Sequence, residues 1–172
     1  KILNKTILIT GAAGSIGSEL VRQIVRFKPK KVILFDQAES PLYELELELR
    51  EIKQIHNFEI VIGSVTQPDS IEPVFSNHKP EIVFHAAAYK HVPMMEKHPL
   101  AAIKTNVLGT KVVADLAHQY KVESFIMIST DKAVNPTNVM GASKRIAEMY
   151  CQALNEHSNT QFITTRFGNV LG

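Results

Sequence analysis

The sequence predicts an α/β fold built on a doubly wound parallel sheet, and three observations carry that prediction. Short apolar runs rich in β-branched residues alternate with helix-length amphipathic segments, the pattern of successive βαβ units. A glycine triplet, Gly11-Ala12-Ala13-Gly14-Ser15-Ile16-Gly17, follows the first apolar run directly. An acidic residue, Asp36, closes the second run. Together they imply the strand order 3-2-1-4-5-6, with ligands at the carboxyl ends of the strands.

Thr6–Thr10 is short and β-branched, as a strand buried on both faces should be. Ile16, Leu20, Val21, Ile24 and Val25 recur at helical spacing, so a helix follows the glycines. Val32–Phe35 reads as the second strand, and Leu42–Ile55 as a helix with Leu42, Leu45, Leu49 and Ile52 on one face. Glu59–Ile62, Ile82–His85 and Phe125–Ser129 are the next strands, with a long helix over about Ala101–Gln119 between the last two. Asn138–Asn155 reads as another helix and Phe162–Arg166 as the last strand. No repeat, low-complexity segment or linker interrupts the pattern, so residues 1–172 form one expected domain.

At 172 residues the chain can bury a full core. A net charge of +2 gives no strong pull toward nucleic acid or a membrane surface. The one dense basic run, Lys28-Pro29-Lys30-Lys31, falls between a helix and a strand and reads as a solvated turn. The single cysteine, Cys151, excludes an internal disulfide and sits in a helical pattern, where a core role is expected. No apolar run approaches the roughly 20 residues of a membrane span, and no signal peptide opens the chain. The seven histidines show no metal-ligand spacing, and no metal is expected. The chain stops at Phe167-Gly168-Asn169-Val170-Leu171-Gly172, just after an apolar strand, so a fragment of something longer is expected.

Gly11, Gly14 and Gly17, with Ser15 and Ile16, have the context of a dinucleotide site: strand before, helix after, an acidic residue about twenty positions on. Glycine lets the backbone turn sharply and approach a pyrophosphate. The helix N-terminus offers that anion unpaired N–H groups and a favourable dipole. Asp36 can accept hydrogen bonds from an adenosine ribose and would repel a 2′-phosphate, which favours NAD over NADP. Lys30, Lys31 or Arg50 could instead be recruited to a phosphate, and a simple helix cap is the other reading of Asp36.

Three stretches carry a family resemblance: Thr10 through Leu20, His85-Ala86-Ala87-Ala88-Tyr89-Lys90-His91-Val92-Pro93-Met94-Met95-Glu96, and Ser129 through Lys144. The glycine spacing and the Lys144 helix resemble the extended short-chain dehydrogenase/reductase superfamily, whose fold is Rossmann-like. The second and third stretches resemble its polysaccharide-biosynthesis branch, the nucleotide-sugar 4,6-dehydratases that act on UDP-N-acetylglucosamine. The superfamily's Tyr-x-x-x-Lys motif is changed here: Met140 stands four positions before Lys144, where the tyrosine would be. That substitution resembles the large, membrane-anchored members. It implies a domain facing the cytoplasm, from a longer protein anchored in the inner membrane, with the C-terminal sugar-binding part beyond Gly172. After strand three, Gly63-Ser64-Val65-Thr66 replaces the frequent Asp-Val, so Ser64 and Val65 meet the adenine without a charge.

By resemblance the reaction is a redox-neutral dehydration of a UDP-sugar. Hydride leaves C4, the acidified C5 proton is removed, the C6 hydroxyl departs as water, and hydride returns to C6. Asp131 is the expected acid at C6, provided its site raises its pKa, and Lys132 the expected base at C5. Thr130 would bond the C4 oxygen, and Lys144 would hold the nicotinamide ribose. The resemblance places cofactor contacts on Ala86, Ala87 and Ala88. It places substrate contacts on Lys90, His91 and Asn169, and on Asn106, at a helix position that supports the active site. Asp131, Thr130 through water, or a residue beyond Gly172 could replace the tyrosine as acceptor of the C4 hydroxyl proton. Pairing of the 101–119 and 138–155 helices would make a homo-oligomer. A UDP-sugar 4-epimerase, or a non-catalytic NAD(P)-binding module, are the other readings. Epimerases usually keep the tyrosine and carry small residues where Asp131 and Lys132 stand.

Overall fold

The computed structural model describes residues 2–168. Six parallel strands form one sheet in the order β3-β2-β1-β4-β5-β6. They are β1 (Thr6–Thr10), β2 (Lys31–Asp36), β3 (Phe58–Ile62), β4 (Ile82–His85), β5 (Ser124–Thr130) and β6 (Gln161–Phe167). The expected order and strand positions are all present, with ends moved by at most one residue.

Helices cover both faces, which is why the central strands are apolar without alternation. On one face Ile7, Ile9, Val32 and Leu34 pack under α1 (Ser15–Ile24) and α2 (Glu39–Leu47). On the other, Leu8, Ile33, Val83, Phe125 and Met127 pack under α3 (Pro68–His78), α6 (Thr110–Gln119) and α7 (Val139–Asn155). Phe125 and Met127 are fully buried. Each such side chain is worth roughly 1.5–3 kcal/mol against exposure. Two short helices, α4 (Val92–Lys97) and α5 (Pro99–Ala102), follow β4. From α5 the chain winds through a π-helical stretch, Ile103–Gly109, straight into α6, so the long helix expected between β4 and β5 is one rod with a widened middle. No helix among the described residues is long and apolar enough to cross a membrane.

Three features depart from the sequence reading. Helix α3 was not expected: Pro68 opens it and Pro73 lies inside it, and the two prolines mask its period. Helix α4 was also not expected. The helix expected to bury Leu42, Leu45, Leu49 and Ile52 does bury the first three, but Ile52 is 78% exposed. Its last turn, Glu48–Ile52, is π-helical, and the wider turn carries Ile52 off the buried face. The Lys28–Lys31 run is a turn, with Lys28 in the left-handed region at φ 50°.

Topology creates the crevice. The chain leaves β1 toward β2 and β3, then returns across the sheet to β4, which pairs with the other edge of β1, Thr10 beside His85. The connections after β1 and β4 therefore part to opposite sides, opening a cleft between Gly11–Gly14 and Ala86–Lys90.

Candidate active site

The glycine turn is built by close approach. Gly11 has φ 70°, and its N–H donates to Phe35 O at 2.9 Å. A Cβ on Gly11 would overlap the backbone of Ala86 and Ala87, and one on Gly17 would overlap Gly11 O. These two glycines serve the fold. Gly14 differs: a Cβ there would meet only Gly11 O, at 3.4 Å, an ordinary contact. Only an occupant of the cleft would object to it. Gly14 is also the N-cap of α1, and no side chain caps that end, so the first-turn N–H groups are left to bind an anion.

Asp36 is held by backbone donors: Ala13 N–H reaches Oδ2 and Ala38 N–H reaches Oδ1, each at 3.0 Å. It therefore both caps α2's approach and pins the glycine turn, and each oxygen keeps a lone pair for a ribose hydroxyl. A cavity of about 230 Å³ is lined by Gly11, Gly14, Asp36, Ser64, Val65 and Ala86–Ala88. Ser64 Oγ shares a hydrogen bond with Thr66 Oγ1 at 2.9 Å. Lys31 is paired with Glu59 at 2.5 Å and Arg50 with Glu46 at 2.8 Å, so two cations that could serve a 2′-phosphate are already engaged.

A larger cavity, about 790 Å³, continues from the first across Ala86, Ala88 and Tyr89. Ser15 and Ile16 line it from α1, Lys90 from the β4 loop, Thr130 and Lys132 from the end of β5, and Met140 and Lys144 from α7. Lys144 is 4% exposed, and its Nζ donates to Ile128 O at 2.6 Å. Burial pushes the ammonium down to about 8. Met140 is 3% exposed and packs against Met95 and Ala102. The residue in the tyrosine's place is thus part of the wall.

Two devices fix the turn after β5, Asp131–Ala133, against α7. Gly141 lets it come close, since a Cβ there would overlap Lys132 O. The α7 N-terminus is capped by Asn138 Oδ1, which accepts from Gly141 N–H at 2.8 Å, and by Glu96 Oε1, which accepts from Val139 N–H at 2.7 Å. Glu96, Tyr89, Glu19 and Ser129 were not among the sequence candidates. All four fall within the three family stretches, which was the one signal that could have found them.

Several candidates sit elsewhere than expected. Asp131 is exposed and does not line the large cavity; Thr130 Oγ1 donates to its Oδ1 at 2.9 Å and Lys132 Nζ lies 3.4 Å away. The Thr130 hydroxyl first, then the Lys132 ammonium, hold its carboxyl below the usual range. The expected raised pKa is therefore corrected: water-exposed and hydrogen-bonded, Asp131 is held as the carboxylate. His91 lines neither cavity; its carbonyl starts α4, accepting from Met94 and Met95 N–H. Asn106 is fully buried and lines neither cavity, which corrects the expected substrate contact. Its amide pairs with Tyr89, accepting from N–H at 2.8 Å and donating to O at 2.9 Å, and donates to Ser143 Oγ at 2.9 Å. Asn169 lies outside the described residues.

A polar chain links these parts. Thr110 Oγ1 donates to Asn106 O at 2.7 Å, so it must accept from His85 Nε2–H at 2.9 Å. His85 Nδ1 then accepts from Thr10 Oγ1 at 2.7 Å. Complete burial pushes the His85 imidazole down to about 3 and keeps it neutral. One chain of bonds thus joins the end of β1, the Tyr89 loop and α7.

The cleft fits a dinucleotide on its own evidence: an uncapped helix N-terminus, a glycine whose hydrogen faces open space, and an acid poised for ribose. A family model described as polysaccharide biosynthesis protein matches residues 7–172. The capsular polysaccharide biosynthesis protein CapD of Staphylococcus aureus is 53% identical over 174 residues, covering 100% of this chain and 29% of that protein. A UDP-N-acetylglucosamine 4,6-dehydratase (inverting) of Campylobacter jejuni is 35% identical, covering 98% of this chain and 50% of that protein. A UDP-glucose 4-epimerase of Rickettsia bellii is 36% identical with the same coverage. Among solved structures, the Bordetella bronchiseptica enzyme WbmG in complex with NAD superposes with a TM-score of 0.81 at 25% identity, covering 98% of this chain and 55% of that one. The chain spans half or less of the length of these curated relatives. Matched along almost its whole length, it belongs to the polysaccharide biosynthesis protein family, on a Rossmann-like short-chain dehydrogenase/reductase fold.

Proposed function

We propose that this domain is the dinucleotide-binding and catalytic part of a nucleotide-sugar 4,6-dehydratase, converting UDP-N-acetylglucosamine to a UDP-4-keto-6-deoxy sugar for surface polysaccharide or glycan. The observation that carries the reading is the Thr130 Oγ1 to Asp131 Oδ1 hydrogen bond at the rim of the large cavity, opposite a Met140 that has no proton to exchange. Gly11, Gly14, Ser15 and Ile16 would hold the pyrophosphate and Asp36 the adenosine ribose, with NAD preferred because Asp36 repels a 2′-phosphate. When bound, the nicotinamide supplies acceptance of hydride from C4 and its return to C6.

The side chains supply the proton transfers. Thr130 bonds the C4 hydroxyl and relays its proton to the Asp131 carboxylate, the role a tyrosine would have filled. A sugar seated above Asp131 strips water from it, raising its pKa. The protonated acid then gives that same proton to the departing C6 hydroxyl, which leaves as water. Lys132, acting as the free amine, removes the C5 proton and returns it to C5 as C6 is reduced, so that it ends the cycle as it began. The sum is loss of one water, with the C4 ketone retained. Lys144 binds the nicotinamide ribose, Lys90 faces the substrate side, and Asn106 holds the Tyr89 wall. We place the domain at the cytoplasmic face of a longer, membrane-anchored protein, and read half-exposed Ile146 and Met149 on α7 as the seat of a homo-oligomer.

A UDP-sugar 4-epimerase is the second reading, favoured by the Rickettsia relative's 36% identity. An epimerase needs no acid at C6, so the Asp131–Lys132 pair favours dehydration. In the complete protein, Asp131→Asn should lower turnover of UDP-N-acetylglucosamine by about 10²–10⁴ while leaving NAD binding unchanged. Turnover within a few-fold of the parent would overturn the assignment.

A further inference from the structure

Behind the cavity lies a buried charge that the proposed chemistry does not use. Glu148, one helical turn after Lys144 on the same face of α7, has a side chain with 0% exposure. Arg166 on β6 grips it with two donors, Nε at 3.0 Å and Nη2 at 2.6 Å, and Arg145 Nη1 adds a third contact at 3.4 Å. The two residues after Arg166, Phe167 and Gly168, form part of the cavity wall. Ser129 Oγ, buried at the end of β5, faces the carboxylate without reaching hydrogen-bond geometry with it or with any other described group. We propose that Glu148 is a positioning residue of this active site: clamped by Arg166, its carboxylate keeps Lys144 cationic where it meets the cofactor and fixes the β6 wall against it.

The surroundings leave this task to Glu148. On α7, Cys151 is pushed up to about 12 by burial and stays neutral, and Arg145 is a cation. On β4, His85 is neutral. Arg166 approaches from β6, Lys132 from the turn after β5 and Lys90 from the β4 loop, all cations. Asp131 and Glu19 are carboxylates, but both stand in solvent, where their fields are screened. Among the described residues, Glu148 is therefore the desolvated anion on Lys144's side of the sheet. It favours the ammonium that burial disfavours.

The inference rests on reading Lys144 as a cofactor contact, so the test reads Lys144 itself as well as binding. In the chain labelled with 13Cε-lysine, the Lys144 resonance, assigned with Lys144→Met, should titrate about one unit lower in Glu148→Gln. It should titrate higher in Arg166→Gln, which leaves the carboxylate with only the longer Arg145 contact at 3.4 Å. Both changes break the same ion pair, so a purely structural role would move Lys144 alike or not at all. NAD affinity near pH 8 should fall several-fold in Glu148→Gln. An unchanged titration in whichever of the two variants folds, or shifts of the same sign in both, would overturn the proposal. If the titrations shift as expected but NAD does not bind, the cofactor reading is at fault and not the role of Glu148.

Discussion

The glycine turn offers a separation of fold from function within seven residues. Gly14→Ala places a Cβ 3.4 Å from Gly11 O and otherwise into the cleft, at φ −72°, which any residue adopts. Alanine is a poorer N-cap than glycine by a few tenths of a kcal/mol or more. Against that, loss of glycine's freedom in the unfolded chain stabilises by about 0.4–1 kcal/mol. The two offset, and the midpoint of thermal unfolding should stay within about 2 °C. NAD affinity, measured by calorimetric titration, should drop at least about tenfold, or 1.4 kcal/mol, because the methyl group stands where the pyrophosphate must approach the helix N-terminus. Gly17→Ala should do the reverse in order. Its Cβ overlaps Gly11 O, so the α1–β1 contact must open, costing about 1–3 kcal/mol and roughly 2–12 °C before any ligand is added. Undiminished NAD affinity in Gly14→Ala would show that the phosphates do not lie on this turn.

Asn106→Ala should destabilise the ligand-free protein by about 2–4 kcal/mol, since Tyr89 N–H and O both lose their partner; a residue that only touched substrate would leave the unliganded melting curve unmoved. Lys144 gives a pH signature. Its folded pKa, about 8, lies below the ordinary 10.5, so its burial penalty is fully present below pH 8 and is relieved as the pH rises toward 10.5. Over that window the parent should gain about 3 kcal/mol of stability relative to Lys144→Met in denaturant titrations, and a flat difference would contradict the buried ammonium.

The sheet was legible because its strands are buried on both faces and leave near-continuous runs such as Ile7–Ile9 and Val32–Phe35. Helix α3 was not, because Pro68 and Pro73 carry a turn signal that tertiary packing of Ile71, Val74 and Phe75 overrides. The residues that line the smaller cavity were legible in the sequence, since a glycine turn between strand and helix leaves the backbone few other conformations. Thr130, Lys132 and Lys144 were legible as neighbours around the larger cavity, with Asp131 beside them, but the state of the Asp131 carboxyl was not. Asp131 lies beside a hydroxyl and an ammonium in open solvent, which fixes its carboxyl low, and no spacing announces solvent exposure. Asn106 was placed one layer too near the substrate, because pattern marks a helix position without telling which of its neighbours takes the amide. Glu148 sits at i+4 from Lys144, yet its buried pairing with Arg166 depends on a strand eighteen residues away.

The central claim is that hydride leaves one carbon of the sugar and arrives at another while Thr130 and Asp131 do a tyrosine's work. Deuterium at C4 of UDP-N-acetylglucosamine, supplied to the complete protein with NAD and followed by NMR of the product, tests it most directly. Dehydration predicts the label at C6 of a 4-keto-6-deoxy sugar, with water released. Label retained at C4 of an epimerised sugar, or product without label at C6, would contradict it.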